Sequence, residues 1–125
     1  MNRLTLNFGL WLILAFWLPG LPSASAEGFV SVIEDVPIME GLAEDPARAV
    51  VFDAPTGRIA EATLTGPFAE AEVLKFYGET LPELGWLPDG EAAFRREGEA
   101  LTFSFSQEGS SEGDLLIIGL ALRPL

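Results

Sequence analysis

LTFSFSQEGSSEGDLLIIGLAL, residues 101–122, is the stretch whose reading decides the fold. Leu101, Phe103 and Phe105 alternate with Thr102, Ser104 and Ser106. That period of two belongs to a strand with one face in a core and the other in water. Gln107–Gly113 is a flexible polar hairpin loop. Leu115–Leu122 then returns apolar on both faces, and a strand of that kind wants cover on both. A helix can cover one face. The other face of the neighbouring strands is rich in Thr, Ser and Glu, so the apolar stripe of Leu115–Leu122 there needs a lid of its own. The segment Phe29–Leu42 is the economical candidate, and a homodimer contact or a partner protein is the alternative.

Working back along the chain, Ala92–Arg96 reads as a strand joined to Leu101–Ser106 by a tight Glu97-Gly98-Glu99 connection, after a turn at Pro88-Asp89-Gly90. Phe68–Leu84 reads as a helix. Val73, Phe76, Tyr77, Leu81 and Leu84 fall on one face, with Glu70, Glu72, Lys75, Glu79 and Glu83 on the rest. Pro82 cannot donate an N–H, so a kink or a separate last turn is expected there. Gly85 suits the left-handed residue that ends helices, with Trp86 folding back as its apolar contact. Before the helix, Ala49–Phe52 and Arg58–Thr65 read as a hairpin around Ala54-Pro55-Thr56-Gly57. In its second strand Ala60, Ala62 and Leu64 face one way, and Ile59, Glu61, Thr63 and Thr65 the other. The expected architecture is α+β: an antiparallel sheet of about five strands, order ββαβββ, with one helix across a face.

The first 26 residues read as a secretory signal peptide. Asn2-Arg3 begins it, Phe8–Leu18 is unbroken and apolar, and Ala24-Ser25-Ala26 offers small residues for cleavage. Cleavage after Ala26 gives a mature chain of 99 of the 125 residues, exported to the periplasm or secreted. Retention as an uncleaved anchor is the alternative, although the apolar run is short of the roughly 20 residues a span needs. Residues 27–46 form an irregular arm, acidic and apolar at once, and 47–125 a single domain. The arm's apolar content is too high for a free linker. Ile38, Met39 and Leu42 are therefore its candidate partner-binding residues.

The chain has 7 Lys and Arg against 19 Asp and Glu, a net charge of −12, which becomes −13 once Arg3 leaves with the leader. Nucleic acid and anionic lipid would repel it. It has no cysteine and no histidine. Disulfides and lipid acylation are excluded, His-dependent and Cys-dependent catalysis is excluded, and zinc and copper lose their preferred ligands. No cofactor is expected. Two acidic clusters invite calcium: Glu108, Glu112 and Asp114, and the arm's Glu34, Asp35, Glu40, Glu44 and Asp45. Neither has EF-hand spacing, and solvated surface charge explains both. Glu97 with Glu99, and Glu70 with Glu72, are thin material for a glycosidase. Lys75 as a Ser–Lys base competes with simple pairing to Glu72 or Glu79. Arg95-Arg96 is the one local positive spot, and a surface ion pair explains it better than an anion site does. Tyr77 and Trp86 either line a ligand groove at the helix end or belong to the core.

Phe76–Trp86 reads FY-x-x-TLP-x-LGW. With GRIAEATLTGPFAEAEV before it and FRRE plus the closing apolar strand after it, the chain resembles a group of short exported proteobacterial proteins of unassigned function over Asp35–Leu125. The shared segment is a helix end with its cap, so the resemblance implies a fold and carries over no catalytic or binding residue. The expected function is a non-enzymatic accessory or protein-interaction module of the cell envelope. It would bind a protein partner through the apolar arm or an exposed edge strand. The alternative is a periplasmic small-molecule or divalent-cation binder.

Overall fold

A computed structural model, which describes residues 26–109 and 114–125, has nine strands and one α-helix arranged around one core. The strands are β1 (Ala26–Phe29), β2 (Pro37–Met39), β3 (Ala43–Glu44), β4 (Val50–Ala54), β5 (Gly57–Gly66), β6 (Leu87–Pro88), β7 (Ala93–Arg96), β8 (Glu99–Glu108) and β9 (Leu115–Pro124). The helix α1 spans Glu70–Thr80. Seven strands make one sheet in the order β3-β5-β9-β8-β7-β6, with β4 also on β5, and β1 and β2 form a separate hairpin. Every pairing is antiparallel. The expected ββαβββ series is present as β4, β5, α1, β7, β8 and β9. The sequence reading missed four short strands, three of them in the arm expected to be irregular.

Alternation sets the two faces. Ala60, Ala62, Leu64 and Gly66 of β5 are buried, and so are Leu116, Ile118, Leu120 and Leu122 of β9. Across β8 the same layer continues as Leu101 opposite Leu122, Phe103 opposite Leu120 and Phe105 opposite Ile118. The helix lies over this face. Tyr77 packs 4.8 Å from Phe103 and 4.9 Å from Phe76, centroid to centroid, and Phe94 stands edge-on to Phe103 at 5.9 Å.

The arm corrects the expected lid. It packs on the same face as the helix, not on the opposite one. Val30, Ile33, Val36 and Leu42 are buried in the one core cluster. The Tyr77 hydroxyl donates to Pro37 O at 2.8 Å and accepts from Met39 N at 3.4 Å. Arg58, on the helix side of β5, donates to Val32 O. The reason is area. Eleven helical residues span about 16 Å, whereas a strand of ten residues runs about 33 Å and neighbouring strands sit about 4.8 Å apart. One short helix leaves much of that face bare, and the arm fills the remainder.

The helix end follows its local chemistry. Pro82 falls in a separate 3-10 turn, Leu81–Leu84, and Gly85 closes it at φ 90°. Gly85 N–H donates to Pro82 O at 3.2 Å and Trp86 N–H to Leu81 O at 3.0 Å, the paired bonds of a Schellman cap. Trp86 is buried against the core beside it.

Candidate functional site

The face opposite the helix carries no further layer among the described residues. β9 offers it Leu115, Ile117, Gly119, Ala121 and Arg123, large at one end and small in the middle. β8 adds Thr102, Ser104 and Ser106, and β5 adds Ile59, Glu61, Thr63 and Thr65. The small centre leaves a shallow dish of about 230 Å³ lined by Glu61, Thr63, Ser104, Gly119 and Ala121, with Arg48 on its rim. Glu61 meets Arg123 at 3.3 Å and Arg48 meets Asp45 at 3.5 Å.

The sharper feature is the edge of the sheet. β4 pairs with β5 alone, from Val50 opposite Glu61 to Ala54 opposite Gly57. The strand forms because Val50-Val51-Phe52 is β-branched and aromatic and because Pro55-Thr56 turns the chain straight back onto Gly57. β3 takes the rest of the same edge at Thr65 and Leu64, and the Pro46–Arg48 3-10 turn carries the chain between the two. Val50, Val51 and Phe52 are 45%, 45% and 52% exposed. Val51 is in register with Ala60 on the helix side, and Val50 and Phe52 lie on the open side. An edge strand turns every second N–H and C=O away from its one neighbour and is a ready template for another strand. Natural edges are commonly blunted by lysine, proline, a bulge or an inward charge, and Val50–Phe52 carries none of these.

The residues singled out from the sequence lie elsewhere. Leu42 is buried, and Ile38 and Met39 are half-buried against the core. They tie the arm down and do not form an exposed patch. Met39 also borders an apolar hollow of about 280 Å³ with Glu72, Lys75, Phe76 and Glu79 of the helix. Tyr77 and Trp86 are both core side chains. Burial pushes the Tyr77 phenol up to about 12, against a smaller downward pull from the Met39 backbone N–H. Arg96 lies 4.4 Å from the centre of the Trp86 ring and donates to Leu84 O at 2.9 Å and Asp35 Oδ2 at 3.2 Å. It therefore clamps the β7–β8 hairpin, the helix end and the arm together. The indole Nε1 of Trp86 is buried and has no hydrogen-bond partner among the described residues.

The arm's acids are used one at a time. Glu44 accepts from Ser31 N at 2.7 Å, Asp45 accepts from Ala47 N at 3.1 Å, and Asp35 takes Arg96. Among the described residues no three acidic side chains come together as a cation site. Glu112 and the tip of the 107–113 loop lie outside the described residues, as does the expected leader up to residue 25. Glu70 and Glu72 are exposed on the first helical turn, Glu97 is at a hairpin tip, and Lys75 is exposed on α1. Comparison with protein-family models, with curated proteins and with solved structures found no match.

Proposed function

We propose that this chain is an exported, non-catalytic protein-interaction module of the cell envelope, and that its working element is the free edge of β4. The observation that carries the reading is the run Val50-Val51-Phe52, half-exposed on both faces of an edge strand with one neighbour. Strand addition would satisfy the outward backbone groups and bury those side chains in one step, with the backbone giving affinity and alternate side chains giving selectivity. The leader-like first 26 residues supply the address, and the lack of histidine and cysteine leaves few routes to catalysis.

A second reading, a small polar ligand on the open sheet face, is favoured by the dish between Arg48 and Glu61, where two hydroxyls meet one charge of each sign. Pull-down of the tagged chain from the envelope fraction separates the two. Val51→Lys is expected to abolish a recurrent bound protein while Ser104→Val leaves it in place. Loss of the bound protein with Ser104→Val alone would move the site to the dish.

A further inference from the structure

Resting on that reading of the β4 edge, we infer that the segment which takes it is the β4 of a second copy of this chain, giving a two-fold dimer with one continuous sheet. A two-fold axis perpendicular to the sheet pairs two edge strands antiparallel and keeps each face on its own side. Opposed residues must then share a face, which leaves only registers centred on a residue. Centring on Val51 sets Val51 against Val51 of the second copy on the helix side. On the open side it sets Val50 against Phe52 of the second copy, twice. All the directly opposed residues in that stretch are apolar, the kind of cross-strand pair that stabilises a ladder.

Two further observations agree with that register. Proline cannot donate to a ladder, and Pro46 and Pro55 bound the segment almost symmetrically about Val51. The ends also carry opposite charges: Arg48 lies just upstream of the strand and Asp53 near its end. Arg48 stays paired to Asp45 beside the open face, while Asp53 lies on the helix side with Val51, so the two charges keep to separate faces. In the self-paired ladder Arg48 opposes Ala54, and Asp53 opposes Ala49, so no like charges meet. Residues 45–54 hold Asp45, Arg48 and Asp53, a net charge of −1, so this edge contributes little to the repulsion between copies of a protein of net charge −12. Five strand residues per copy make a small interface, so the dimer is expected to be concentration-dependent and not obligate.

Sedimentation velocity on the protein as cells process it, purified through a C-terminal tag, tests this from about 10 µM to about 1 mM, where so small an interface should associate. The wild type is expected to shift from monomer to dimer across that range, and Leu115→Thr, on the open face away from the edge, to shift alike. Val51→Lys and Val51→Asp each place two like charges at the axis and should stay monomeric with unchanged circular dichroism. An equimolar mixture of the two should regain the dimer, which no unrelated partner strand would produce. A wild type that dimerises while the mixture stays monomeric overturns the inference. So does a wild type monomeric throughout; if its edge still captures another protein in the Val51-dependent pull-down, the interaction reading survives alone. If neither dimer nor Val51-dependent capture is found, both fail.

Discussion

Tyr77→Phe should make the folded chain less stable at neutral pH and more stable above about pH 11. The hydroxyl is buried and holds the arm by donating to Pro37 O at 2.8 Å, with a longer bond from Met39 N at 3.4 Å. Removing it leaves the ring packed on Phe76 and Phe103 but strands a buried carbonyl, a loss of about 1–2 kcal/mol. Against this stands linkage. The phenol is raised to about 12 in the folded chain from 10.0. Between those values the unfolded chain has released its proton and the folded chain has not, so stability falls as pH rises. The contribution is intact below pH 10, and about 2 kcal/mol is gone by pH 12. The variant has no such slope from this site, and the two curves should cross near pH 11. Tyr77 is the only tyrosine, so ultraviolet phenolate absorbance reports this one group, and urea titrations at stepped pH give the stabilities. A wild-type phenol that titrates near pH 10, with parallel stability curves for the two proteins, would refute the reasoning.

Three other perturbations follow from packing. Leu42→Ala should cost about 2–5 kcal/mol in urea unfolding, as for any buried leucine, and should expose the arm to proteases that the wild type resists. Gly66→Ala would place a Cβ 2.6 Å from Leu42 Cδ2 and 3.0 Å from Gly41 O, so a loss of about 1–3 kcal/mol is expected from overpacking. Arg96→Ala removes the cation over Trp86 and two hydrogen bonds. It should lower stability by about 1–2 kcal/mol and change the near-ultraviolet tryptophan signal, with Arg96→Lys recovering only part because it cannot reproduce the planar stack.

Where local chemistry decides, the sequence was readable. The alternation in 58–65 and 101–106 named the buried faces of β5 and β8 residue by residue. Pro82, Gly85 and Trp86 announced the end of the helix, because a missing donor, a left-handed residue and an apolar contact all act within a few positions. The side taken by the arm was not readable. It depends on how much sheet one short helix leaves bare, a quantity that exists only once strand lengths and order are known. β9 misled for a related reason. Its run LLIIGLAL counts as apolar on both faces, yet the side away from the helix shrinks from Leu115 and Ile117 to Gly119 and Ala121, which ask for little cover. The β4 edge was overlooked although the rule applied to β9, that a strand apolar on both faces wants cover on both, fits Val50-Val51-Phe52 equally. What the sequence lacked was the pairing order that leaves β4 with one neighbour.

The most direct test of the edge is photocrosslinking in living cells, with a photoreactive residue at Val51 and, for comparison, at Glu83 on the exposed helix end. The account predicts a discrete crosslinked protein, a second copy or another chain, from position 51 and none from position 83. Equal or absent crosslinking from the two positions would contradict the claim that β4 is where this protein meets its partner.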